Sequence, residues 1–97
     1  MGVTREELAL QVDVAEWGWL RPHGERGGLI VVAGRLDLAE VGERVAGDDA
    51  AVIQGWLAGG EMWKPTVAEL EAWNAAPDRR FRMLVVSPYV LIQELVN

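Results

Sequence analysis

The chain has 97 residues, half of them hydrophobic and a quarter charged, the composition of one compact domain with one core. Its net charge of −6 argues against a nonspecific phosphate-backbone binder, and the absence of cysteine removes disulfides, zinc ribbons and thiol chemistry. The amino terminus carries acids and no apolar block, so no signal peptide is expected; the apolar runs fall far short of a membrane span, and the expectation is a cytoplasmic single domain over 1–97.

In chain order, Thr4 and Glu7 form a Thr-x-x-Glu capping box that opens a first helix. Leu8, Val12 and Ala15 carry its apolar face as far as Trp17. Gly18 ends it, and the Gly-, Pro- and charge-rich stretch "WLRPHGERGG" reads as a loop. "LIVVAG", short and β-branched, is a buried strand. A second helix starts at Asp37, with Leu38, Val41 and Val45 inward and Gly47 as its C′ residue. Asp48 or Asp49 caps a third, "AAVIQGWLA", with Val52, Ile53, Trp56 and Leu57 on one face and Gly59 and Gly60 beyond it. The short connection makes these two an αα-hairpin. "EMWK" is a short strand. Thr66 and Glu69 form a second capping box for a fourth helix, which buries Val67, Leu70 and Trp73 before Pro77. Trp56 and Trp73 are expected inside, Trp19 and Trp63 nearer the surface.

The run from Phe81 to Leu95 is strand-like with two apolar faces. Alternation puts Leu84, Val86, Val90 and Ile92 on one face and Met83, Val85, Tyr89 and Leu91 on the other. Pro88 cannot donate to a ladder, so it marks a bulge, a kink or the start of a new strand with an open edge. Two apolar faces call for a helix layer on each side or for a second copy of the chain. The expectation set on this segment is a homodimer in which Pro88, Val90, Leu91 and Ile92 meet the second chain. The fold class is α+β, a small mainly antiparallel sheet of three to four strands covered by about four short helices.

Motifs for chemistry are sparse. His23 is the one histidine and Ser87 the one serine. Nothing in their spacing, with Asp48 as third member, supports a catalytic triad. No metal constellation and no cofactor motif are present. Arg79, Arg80 and Arg82 form the basic cluster, read as a solvated turn. The third helix carries no Lys or Arg, which speaks against a helix-turn-helix on DNA. Five tryptophans in so short a chain read first as core anchors and second as an interaction surface.

Four stretches taken together have a familiar order and spacing: "EWGWLRPHGERGGLIVV", "LDLAEVGERVAGDD", "IQGWLAGGEMWKPT" and "FRMLVVSPYVLIQE". The most specific elements are Trp17, Leu20, Pro22, His23 and Arg26 in a Trp-x-x-Leu-x-Pro-His-x-x-Arg pattern, Lys64 to Thr66, and Pro88 to Gln93. From about Thr4 to Glu94 the chain resembles a bacterial family of small proteins of unknown function, domain-of-unknown-function family 2288. It departs from that family at Ser87, where glutamine is expected, and at Glu43 and Arg44, where relatives look more apolar. The resemblance implies a small single-domain cytoplasmic bacterial protein and no activity. It draws attention to His23, Arg26, Lys64, Tyr89 and Gln93 as ligand-binding polar residues, with Trp17 and Trp63 as walls.

Two readings of function follow. The first is a homo-oligomeric interaction module with no catalysis of its own. The alternative is a site, with or without chemistry, for a small anionic metabolite built around His23, Arg26 and Lys64. Neither nucleic acid nor membrane is an expected partner.

Overall fold

The structure is a computed structural model that describes residues 4–95. Its elements are α1 (Arg5–Ala9), β1 (Asp13–Glu16), α2 (Trp17–Glu25), β2 (Leu29–Val32), α3 (Leu38–Ala46), α4 (Ala50–Ala58), β3 (Met62–Trp63), α5 (Val67–Ala75), β4 (Arg80–Val86) and β5 (Tyr89–Glu94). The five strands form one sheet in the order β1-β4-β5-β2-β3. β5 runs antiparallel to β4 and parallel to β2, so the α+β sheet is mixed, with more strands and one more helix than expected.

Helices cover the sheet on both sides. On one face α1, α3 and α4 pack over Val32, Met62, Leu84, Val86 and Leu91. On the other, α2 and α5 pack over Leu29, Val31, Phe81, Val90 and Ile92. A two-residue turn, Ser87–Pro88, with a cis peptide bond, joins β4 to β5. The hairpin register sets Leu84 opposite Leu91 and Val86 opposite Tyr89. Cross-strand partners share a face, so even-numbered residues of β4 lie with odd-numbered ones of β5. The continuous alternation expected through Pro88 is therefore wrong: the turn exchanges the faces.

The same geometry corrects the expected dimer surface. β5 is an inner strand, with β4 on one edge and β2 on the other. Val90, Leu91 and Ile92 are buried within the single chain. Pro88 is exposed in the turn, and the strand edge beside it belongs to β4, whose residues 84–86 lie beyond the pairing with β1. Most of the second apolar face is covered by α2 and α5, with Val85 left 49% exposed.

The amino-terminal third also departs from expectation. Thr4 Oγ1 accepts from the Glu7 N–H at 3.2 Å, but the helix it caps ends at Ala9 and the chain continues into edge strand β1. The presumed loop is helix α2, despite Gly18, Pro22 and Gly24. Glu16 at its N-cap gives no side-chain bond. Instead the Trp17 and Gly18 N–H groups donate to the carbonyls of Arg79 (2.8 Å) and Pro77 (3.0 Å), which satisfies orphan donors of the first turn from a distant loop. Gly24 lets α2 close on the sheet, since a β-carbon there would stand 3.0 Å from Leu29 Cδ1 and 3.5 Å from the Trp17 ring.

The remaining helices start where expected. Asp37 accepts from Ala39 N–H and Asp49 from Val52 N–H. Thr66 and Glu69 form a complete capping box. The left-handed residue between α3 and α4 is Asp48 (φ 54°), not Gly47. In α5, Trp73 is buried and Leu70 half-buried, but Val67 is 72% exposed.

The core under α2 and α5 is aromatic. Trp17 and Trp73 have ring centroids 5.0 Å apart, as do Trp73 and Phe81. These are favourable tilted and edge-on arrangements. Each buried indole N–H has a partner: Trp17 donates to Asn74 Oδ1 at 2.8 Å and Trp73 to Glu94 Oε1 at 3.1 Å. On the other side α3 lies unusually close to the sheet. A β-carbon at Gly42 would stand 2.5 Å from Leu84 Cδ2.

Candidate functional site

The structure disperses the residues that the sequence grouped. Trp17 is a core residue of the aromatic cluster, so it walls no ligand. Gln93 is buried, and its Nε2 donates to the carbonyls of Ala33 (2.8 Å) and Leu36 (2.7 Å). Both amide hydrogens thereby hold the connection between β2 and α3, leaving none for a ligand. Trp63 borders a groove of about 290 Å³ with Gly34, Glu69 and Glu94. Its Nε1 donates to Glu69 Oε1 at 3.0 Å, the same oxygen that accepts the Thr66 N–H of the capping box.

His23 and Lys64 lie on opposite faces of the sheet. His23 lines a cleft of about 370 Å³ between α2 and β1, with Asp13, Glu16, Trp19 and Met83. Two carboxylates there would repel an anion. Arg26 is exposed at the C-cap of α2 and is not among the residues of that cleft. Lys64 and Tyr89 line a cleft of about 340 Å³ between α4 and the other sheet face. Of His23, Arg26 and Lys64, the residues proposed for an anion site, no two line one cleft; Lys64 shares its cleft with Tyr89 instead. The Ser87–His23–Asp48 combination is likewise separated, since Asp48 lines the Lys64 cleft and Ser87 sits exposed in the hairpin turn.

That cleft follows from how α4 is attached. Its nine residues, "AAVIQGWLA", carry no charge, yet none is fully buried. Trp56 packs against the core as a half-buried side chain, not the buried one expected. Ile53 and Leu57, one turn apart, face Ile30, Met62 and Leu91 across the cleft. Leu57 is 49% exposed and Tyr89 41%. Val45, the last apolar position of α3, closes one wall and Asp48 stands at the turn between the helices.

Against known proteins, a family model described as "Protein of unknown function (DUF2288)" matches residues 3–94. The chain belongs to this family. A search of the curated proteins finds no match. Among solved structures, the DUF2288 chain is similar to the one titled "NMR solution structure of PA1075 from Pseudomonas Aeruginosa", with 35% sequence identity and a TM-score of 0.81. The likeness covers 93% of this chain and 82% of that one.

In the DUF2288 chain the cleft residues that the sequence assigned to no site are Ile30, Val45, Asp48, Ile53, Leu57 and Met62. One signal for them was present. The stretch 50–60 is free of charge, which marks a helix without a charged face. Among the described residues no cluster of three or more His, Asp or Glu is placed to hold a metal ion, and no helix is long and apolar enough to cross a membrane.

Proposed function

We propose that the protein is an interaction module that acts by binding and not by chemistry, with the α4 layer as its working surface and a second copy of the chain as the partner. The observation that carries this reading is α4 itself, a helix without a charge that buries no residue fully. A helix of that composition is expected to be covered. In a chain of net charge −6, the uncharged layer is where two copies meet with the least like-charge repulsion. A two-fold pairing of α4 with its copy would close the contact without growing a filament. The strand edges are poorer candidates. β3 has two residues and runs into Lys64 and Pro65, and β1 begins and ends on a carboxylate.

The test is sedimentation velocity over a micromolar to millimolar range, on wild type and on Leu57→Glu. The expected result is a monomer–dimer equilibrium in the wild type that the glutamate abolishes while circular dichroism stays unchanged. A wild type that is monomeric throughout removes the second copy as partner. A dimer that survives Leu57→Glu, together with Ala51→Glu, places the contact elsewhere on the chain.

A further inference from the structure

We infer that the cleft beneath α4 takes a small amphiphile with a single negative charge, its apolar body against Ile30, Ile53, Leu57 and Leu91 and its carboxylate at Lys64. This rests on the reading of the α4 layer as a binding face and names what enters under it. The cleft, about 340 Å³, falls in the range of about 300–1,000 Å³ that small-ligand sites occupy. Its wall is mainly aliphatic, and its polar groups, Lys64, Tyr89 and Asp48, are exposed side chains at the mouth. An apolar wall with a few polar groups is the usual composition of such a site.

The charges select the ligand. Lys64 is the basic residue of this cleft and, like several of the exposed arginines, makes no ion pair among the described residues. An exposed ammonium on the rim of an aliphatic cleft is suited to a carboxylate. Tyr89 lines the same cleft and carries a hydroxyl able to donate to the same group. Asp48 limits the negative charge the mouth accepts, which favours a carboxylate over a dianionic phosphate ester. The His23 cleft offers an internal contrast, because Asp13 and Glu16 line it and the same ligand should avoid it.

The test is an NMR titration of the full chain with octanoate, repeated with octylammonium. Octanoate should give saturable shifts centred on Ile30, Ile53, Leu57, Lys64, Tyr89 and Leu91. Lys64→Ala should weaken it about two- to fivefold, the upper part of the range for an exposed charge pair, Lys64→Arg should restore it, and octylammonium should not bind there. The inference is overturned if octanoate gives no saturable shift, if its shifts centre on the His23 cleft, or if Lys64→Ala binds it as the wild type does. Sedimentation keeps the two proposals apart. A chain that dimerises through α4 but ignores octanoate loses the ligand and keeps the module. A chain that binds octanoate under α4 yet stays monomeric loses the second copy and keeps the ligand.

Discussion

The two faces of the sheet are covered by different kinds of layer. Under α2 and α5, three large aromatic side chains interlock and the two buried indoles hydrogen-bond to Asn74 and Glu94. Under α1, α3 and α4 the filling is aliphatic, tight at Gly42 and loose beneath α4. One face is held around its aromatic cluster by shape and by directed polar contacts. The other closes at α3 and stays partly open at the next helix. The tryptophans report the difference: Trp73 is sealed in, Trp56 is half-buried.

Paired tryptophan truncations should show the largest contrast. Trp73→Ala empties a fully buried site and leaves Glu94 without its donor, so a loss of about 3–5 kcal/mol is expected, a large share of the stability of a small domain. Trp56→Ala removes a half-buried ring and should cost roughly half as much. Urea midpoints give both values. Equal losses would erase the distinction between the faces.

Next in size is Gln93. Gln93→Leu deprives two carbonyls of their donor and should cost about 1–3 kcal/mol. Gln93→Glu should be worse, because it turns a donor into an acceptor that faces the oxygens of Ala33 and Leu36. If Gln93 served a ligand instead, both variants would leave the midpoint of the free protein unchanged.

The smallest effects sharpen the comparison at the helix starts. Thr4→Ala, on the aliphatic side, and Thr66→Ala, on the aromatic side, should each lose about 1 kcal/mol. Thr66 should be the costlier, because Glu69 of its box also holds the Trp63 indole. Thermal midpoints of the two variants decide the order, and the reverse order would separate the box from Trp63.

What the sequence disclosed depended on whether the signal was local. The starts of α3, α4 and α5 were legible because Asp37, Asp49 and Thr66 each satisfy an N–H two or three residues away. β2 and β3 were legible from short β-prone runs. Helix α2 was not, because its starting N–H groups are satisfied by carbonyls at Pro77 and Arg79, some sixty residues distant by position. Gly24 reads as a breaker locally, yet it is the close contact with Leu29 and Trp17 that calls for a small residue. Pro22 lies on the exposed side of that helix. The exchange of faces at Pro88 was hidden for a similar reason, since parity persists along a straight strand and a two-residue turn resets it. The scattered candidate site shows the same limit. His23, Arg26 and Lys64 stand out by residue type, but the order β1-β4-β5-β2-β3 and the side on which each helix crosses decide which of them meet.

The central position of β5 has a further consequence for the life of an unfolded copy. "YVLIQE" is a run of high β-propensity with one charge, the kind of six-residue segment that stacks into cross-β assemblies when it is free. In the folded chain this run is flanked by β4 and by β2, and Val90, Leu91, Ile92 and Gln93 are buried. Folding is therefore also the means by which the chain keeps its most self-adhesive segment out of reach. Substitutions that open the aromatic face release it, and copies so destabilised should be lost to precipitation at concentrations where the native chain stays dispersed.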